Sequence, residues 1–331
     1  QWMLCPTDLS GNLSTADCSK APDVVNNSWG SSNPAGDTFR PAIQALRAAG
    51  IAPVFAAGNP WASVGSIGSP GSAPEAISVG ATDSTDTIAS FSGRGPSFYE
   101  GEQKPELSAP GVKVKSTLPG GGYSGLTWSG TSMAAPAVSG LVALLAQADM
   151  QDGFREFNVD ELERFMVYTA IDLGDPGPDD DYGYGRIDAY TAVRWALSAG
   201  DLQGTVTDKN TGLAIAGAVI TGTKTTLNDT FAVESGVTGI YSTTVPAGHY
   251  NIVVDAWGYE GDTFGGQTVV TDALSIKNFV LTPLPTTQLT GQVLSGTTPI
   301  SGALVYVAIH PTTHFTTGGD GAYTLTLPVG T

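Results

Sequence analysis

At 331 residues the chain is long enough for two or three domains with a sizeable core, and its 43 glycines and 21 prolines stop short of a low-complexity composition. Acidic residues outnumber Lys and Arg by 31 to 14, a net charge of −17, which argues against nucleic acid, whose phosphates need clustered Lys and Arg, and against docking on anionic lipid. The longest apolar stretch, residues 133–150, is broken by Pro136, Ser139, Gly140 and Gln147; it reads as a buried helix and not as a membrane insertion.

Gln1-Trp2-Met3-Leu4 has neither a charged leader region nor a cleavage site, so the opening reads as the middle of a longer chain. Cys5 and Cys18 follow in a polar, loop-like segment; two cysteines alone leave a bridge and a pair of thiols both open. Val24-Val25-Asn26-Asn27-Ser28-Trp29-Gly30 reads as a strand ending in small residues. Ala42, Ile43, Leu46 and Arg47 lie at helical spacing, with Asp37 as the expected cap and Gly50 as the stop. Residues 51–57 form a short apolar run ending at Gly58, as a buried strand does. Asn158 with Glu161 forms a capping box for a helix whose core face is Val159, Leu162, Phe165, Met166 and Thr169. Helices alternating with short apolar strands predict an α/β domain with a parallel sheet.

From Leu202 the period becomes two. Tyr250, Ile252, Val254 and Ala256 share one strand face, as do Tyr323, Leu325 and Leu327. Gly204-Thr205-Val206 matches Gly291-Gln292-Val293, Gly217-Ala218 matches Gly302-Ala303, and Gly239-Ile240-Tyr241 matches Gly321-Ala322-Tyr323, at a near-constant offset. Each unit has the length of a small β-sandwich, and Tyr241 and Tyr250 are expected in its core. The second copy stops where the first continues with His249-Tyr250-Asn251-Ile252, so the chain is expected to end mid-domain. The expected boundaries are 1–199 for the α/β part, 200–284 for a first sandwich and 285–331 for a truncated second.

The chemistry sits in three motifs. Gly130-Thr131-Ser132-Met133-Ala134-Ala135-Pro136 opens the apolar helix, placing a serine at its first turn with helix N–H groups aimed beside it. That suits a nucleophile whose tetrahedral intermediate is negatively charged, although Thr131 and Ser132 also suit a plain cap. In Ala56-Ala57-Gly58-Asn59, a carboxamide at a strand's end is placed to donate to an oxyanion, or else to serve as a turn residue. In Asn26-Asn27-Ser28-Trp29-Gly30, a strand end offers an edge on which an extended substrate can pair.

Ser-Trp-Gly, Ala-Ala-Gly-Asn and Gly-Thr-Ser-Met-Ala-Ala-Pro, in this order, resemble the subtilisin-like serine proteases. The resemblance runs from about Ala21 to Val193 and takes in Gly93-Arg94-Gly95-Pro96, Lys104-Pro105-Glu106-Leu107-Ser108-Ala109-Pro110-Gly111 and Gly183-Tyr184-Gly185-Arg186-Ile187-Asp188-Ala189. Within the family, Val-Val-Asn-Asn-Ser-Trp-Gly is most similar to the bacillopeptidase F group. The β repeats resemble carboxypeptidase regulatory-like domains. The fold class implied is α/β, a partial subtilisin-like parallel sheet with flanking helices, followed by all-β sandwich modules.

The resemblance implies that Ser132 is the nucleophile and Asn59 the side-chain oxyanion donor. It implies that Ser28, Trp29 and Gly30 pair with substrate, and that Ala57, Gly58 and Gly68 wall the pocket for the residue before the scissile bond. Ala137 stands where the family usually has a histidine outside the triad. The triad aspartate and histidine would precede residue 1, since His249, His310 and His314 all lie in the β repeats and none has a His-Gly-Thr context. These 331 residues alone are therefore expected to hydrolyse no peptide bonds, while the parent protein does so as a secreted or cell-surface endopeptidase acting on proteins or peptides. The alternative is a catalytically dead relative that binds peptides or adheres to surfaces.

A secreted family favours the Cys5–Cys18 bridge. Catalysis in this family needs no cofactor; the resemblance implies structural calcium through carbonyls near residues 71–76, while Asp179-Asp180-Asp181 reads as a solvated acidic turn, with calcium coordination as its alternative. Trp257-Gly258-Tyr259 is the expected exposed aromatic site for polysaccharide contact by the β modules.

Overall fold

Four parallel strands organise residues 1–197, the first of two units into which the chain divides, the second being 198–331. The computed structural model describes residues 2–60, 63–125, 127–150, 157–226, 230–307 and 310–329. The strands β1 (Val24–Asn27), β2 (Ala52–Ala56), β3 (Ile77–Thr82) and β4 (Leu107–Pro110) lie in that order across the sheet. Every residue of β2 and β3 is buried, which is why both read as unbroken runs of small and apolar residues.

Helix α1 (Arg40–Ala48) packs on β2, where Ile43, Phe55, Ala73 and Ala76 form one apolar cluster. It begins with a proline in its first turn and ends at Gly50, whose φ of +75° an L side chain rarely adopts. Asp37 is not its cap: the helix starts after Phe39 without a side-chain cap, and the Asp37 carboxylate instead accepts from Tyr99 Oη at 2.5 Å. Helix α2 (Thr131–Asp149) packs against all four strands and carries the apolar run predicted for it. Helix α3 (Val159–Tyr168) has the predicted capping box and buries Val159, Leu162, Phe165 and Met166. It packs with α4 (Ala189–Ala196) beside α2. Cys5 and Cys18 are joined as a disulfide.

In the second unit, β5 (Ala199–Asp208) pairs on one side with β8 (Ile240–Pro246) and on the other, in succession, with β11 (Leu274–Ile276) and β12 (Phe279–Leu281). A second sheet has the order β10 (Asp262–Val269), β9 (Gly248–Asp255), β6 (Val219–Lys224), β7 (Thr230–Glu234). Leu202, Val206, Ile220, Tyr241, Tyr250, Ile252 and Val254 fill the core of this first module, so both tyrosines are where the period placed them.

From residue 286 the described residues form the antiparallel pairs β13 (Thr286–Gln292) with β18 (Ala322–Pro328), β14 (Leu294–Ser295) with β15 (Thr298–Pro299), and β16 (Leu304–Val307) with β17 (His310–Thr316). Leu289 is 47% exposed where its counterpart Leu202 is fully buried. Trp257 and Tyr259 are not the exposed pair expected. Both are half-buried, and Tyr259 Oη donates to Asp208 Oδ2 at 3.1 Å, because the turn bearing them folds back on the end of β5.

Candidate active site

Parallel strands all end on one edge, and that edge is where the three motifs meet. β1 ends at Asn27 and delivers Ser28-Trp29-Gly30; β2 ends at Ala56 and delivers Ala57-Gly58-Asn59; the N-terminus of α2 arrives between them. Gly58 takes φ of +98°, so the chain turns sharply off the strand and leaves Asn59 on the surface. A cavity of about 340 Å³ is lined by Ser28, Trp29, Gly30, Ala57, Gly58, Asn59, Gly68 and Ser132, together with Ser31, Ser32, Ser66 and Thr131. Every residue singled out from sequence for catalysis or substrate binding thus borders one space, and no titratable side chain is among its described lining.

Thr131 is the residue the sequence reading passed over as a cap. Fully buried, it accepts from Gly58 N–H at 3.1 Å and donates through the same hydroxyl to Asn59 Oδ1 at 3.1 Å, while its own N–H donates to Asn59 Oδ1 at 2.9 Å. The carboxamide oxygen is therefore tied to the helix, and Nδ2 with its two hydrogens is the part turned away from that tie. Met133 N–H returns to Gly130 O at 2.9 Å. The Ser132 N–H has no acceptor among the described residues, an orphan donor of the first turn. Ser132 itself is half-buried, and its hydroxyl donates weakly to Ser28 O at 3.4 Å.

A second connection fixes the serine's backbone. Ser28 Oγ donates to Ser132 O at 2.9 Å and accepts from Asn26 Nδ2 at 2.9 Å, while Asn26 Oδ1 accepts from Ser139 Oγ at 3.2 Å. Sequence offered no local signal for this chain, since its members are 104 and 113 residues apart. Trp29 stands at the mouth with its ring edge-to-face on Phe39 and Phe55, centroids 5.0 and 5.7 Å away.

The pocket wall depends on close backbone approach. Ser31 N–H donates to Ser69 O at 2.8 Å and Ser69 N–H to Asn33 O at 3.0 Å, so the segments after β1 and before β3 are laced together. A Cβ on Gly68 would lie 1.6 Å from Ser31 O, a backbone atom that cannot swing aside. Gly68→Ala is expected to cost about 1–3 kcal/mol, the range for overpacking; an unchanged urea midpoint would show that the wall yields freely.

The acidic run folds on itself. Asp179 accepts the N–H groups of Asp175, Asp181 and Tyr182 at 2.7–3.0 Å, and Arg94 holds Asp181 at 2.8 Å. Burial, then the charges of Asp179 and Asp181, push the Asp180 carboxyl above its ordinary range. No group of three or more side chains suited to a metal occurs among the described residues. In the segment 71–76, the Ala76 carbonyl accepts from Lys104 Nζ at 2.6 Å.

Comparison with known proteins places both parts of the chain in known families. Residues 7–185 match the subtilase family and residues 201–282 the carboxypeptidase regulatory-like domain. The chain is 43% identical over 201 residues to bacillopeptidase F of Bacillus subtilis (strain 168), covering 58% of the chain and 13% of that protein. It is 34% identical over 173 residues to the serine protease AprX of the same strain, covering 46% and 37%, and 37% identical over 171 residues to M-protease of Shouchella clausii (strain KSM-K16), covering 52% and 40%. The chain therefore spans well under half the length of these relatives.

Proposed function

The chain belongs to the subtilase family, and from that premise we propose that residues 1–197 supply the nucleophile and oxyanion site of a serine endopeptidase exported from the cell. The observation that carries this reading is the Asn59 carboxamide, anchored by its oxygen on Thr131 N–H and bordering the same cavity as Ser132.

Ser132 Oγ attacks the scissile carbonyl of a protein or peptide laid along Ser28-Trp29-Gly30, and the acyl-enzyme is then released by water. Asn59 Nδ2 and Ser132 N–H take the oxyanion, with the start of α2 adding its positive end. The uncharged wall of Ser66, Gly68 and Ala57 admits an uncharged side chain before the scissile bond. No cofactor enters this chemistry. Residues 1–197 contain no histidine, so in this reading the base that activates Ser132 and the aspartate that orients it are supplied from outside these residues. The disulfide fits an oxidising, extracellular setting.

A fluorophosphonate probe tests the reading. Ser132 is expected to be labelled stoichiometrically in the histidine-bearing polypeptide, not at all in its Ser132→Ala variant, and scarcely in the 331 residues alone. Absence of labelling in the histidine-bearing polypeptide would leave a peptide-binding relative without catalysis.

A further inference from the structure

In the first unit Lys20 sits on Asp17, Arg40 on Glu75, Arg47 on Asp160 and Glu163, Arg94 on Asp181 and Arg186 on Asp86, while Lys104, fully buried, sits on Glu106. Lys113 and Lys115 sit on no carboxylate among the described residues. Both are exposed, and between Glu106 and Asp149 the sequence has no acidic residue. In a chain of net charge −17 this is a local reversal of sign.

The two lysines stand on the connection from β4 to α2, which pairs back on itself, Val114 with Trp128 and Thr117 with Tyr123. Alternation along it leaves Val112, Val114 and Ser116 half-buried and turns Lys113, Lys115 and Thr117 outward. Lys115 Nζ lies 5.0 Å from the centroid of the Tyr123 ring, itself 66% exposed. An aromatic face, and not a carboxylate, thus steadies this ammonium. Lys113 N–H donates to Ser129 Oγ at 3.0 Å, which ties the lysines to the segment that leads into Ser132. Lys113 also takes φ of +56°, where glycine or asparagine sits at less cost, so the turn itself does not call for a lysine.

None of these side chains lines the cavity. In the proposed mechanism the substrate before the scissile bond pairs with Ser28-Trp29-Gly30, which continues β1 at one side of the sheet; the connection bearing the lysines continues β4 at the other. A chain laid on the β1 side that continues past Ser132 heads towards the β4 side. We propose that Lys113, Lys115 and Tyr123 form a docking face for an acidic stretch of the protein substrate lying beyond the scissile bond. Its placement rests on Ser132 as the nucleophile; its chemistry rests on the lysines alone. The net negative charge of the rest of the molecule repels such a stretch, so the face sets the direction in which it docks.

The first test uses the 331 residues alone with a fluorescent Gly-Ser peptide bearing a run of glutamates, its glutamine counterpart, and polyphosphate of matched charge. At low salt the glutamate peptide is expected to bind about 3–10-fold tighter than the glutamine peptide, the range of two exposed ion pairs, and the difference is expected to vanish in about 0.5 M salt. Lys113→Glu with Lys115→Glu removes the preference, whereas a similar charge change on the β module, Lys209→Glu with Asn210→Glu, keeps it. The second test places the glutamates after or before the scissile bond in substrates of the histidine-bearing polypeptide. Those after it are expected to lower KM about 3–10-fold, a gain that Lys113→Glu with Lys115→Glu abolishes, and those before it to give none. A preference that is absent, that survives the lysine replacements, or that polyphosphate matches overturns the docking face. An equal gain from glutamates before the bond overturns its placement. Failure to cleave any substrate counts against Ser132 as the nucleophile, and the binding test alone then decides the docking face.

Discussion

If the proposed function holds, Asn59→Asp is expected to lower kcat of a histidine-bearing polypeptide about 10²–10³-fold with little change in KM, the range of a side-chain oxyanion donor in subtilisin, a member of this family. Aspartate is the informative replacement because only the oxygen end of the carboxamide is tied to Thr131, while the proposed function gives the Nδ2 end to the oxyanion. The carboxamide oxygen accepts from Thr131 N–H and Thr131 Oγ1, and a carboxylate oxygen accepts both equally well. Only the Nδ2 hydrogens are lost, and a negative charge is placed where the proposed mechanism puts the oxyanion. Stability should therefore hold while turnover collapses. Asn59→Leu, by contrast, leaves Thr131 N–H unmatched at the helix start and is expected to lower both. Steady-state kinetics on the two variants, read beside their urea midpoints, separate donor from anchor. Equal kcat in wild type and Asn59→Asp would remove Asn59 from the chemistry, whatever its part in folding.

Local chemistry was legible in the sequence and distant pairing was not. The capping box of α3 needs only residues 158–161, and the buried strand β2 announces itself through unbroken apolar residues bounded by Gly58. The three motifs that line the cavity were each readable because strand ends and helix starts impose small residues, glycine and cap-type side chains at fixed positions. Asp37 shows the limit: as a cap it was chemically apt, but a tyrosine hydroxyl 62 residues away is the partner it takes. Thr131 shows another. A hydroxyl at a helix start is ordinarily a local cap, and nothing in its neighbours reveals that it reaches Gly58 and Asn59 across 72 or 73 residues. The Trp257–Tyr259 turn was misread for the same reason, since its partner Asp208 lies 51 residues earlier. Lys104 and Glu106 look like surface residues in any window, and only the fold that closes over them makes them interior.

That closure sets up the second large effect. Lys104→Met is expected to destabilise the first unit by about 3–5 kcal/mol at about pH 9 and by much less at about pH 6. Burial pushes the Glu106 carboxyl up to about 8, against the opposing pull of the Lys104 charge and the Ser78 N–H. The folded chain thus holds this proton more tightly than the unfolded chain, whose carboxyl has the ordinary value of 4.5. The stabilisation linked to it is complete below about pH 4.5 and is lost as pH rises through about 8. At lower pH, where the raised carboxyl holds its proton more of the time, methionine removes less. Above pH 8 the wild-type carboxylate has an ammonium against it, whereas in Lys104→Met it must either ionise alone in the interior or keep its proton against the solvent. Both routes cost free energy, and the cost grows with pH. Hydrogen exchange at the β3 amides reads this opening without interference from the β modules. Pairing Lys104→Met with Glu106→Leu removes the stranded charge and is expected to restore most of the loss, because apolar replacement of both partners is often neutral. A penalty equal at the two pH values, or undiminished in the double variant, would mean that Lys104 acts through its packing and not through its charge.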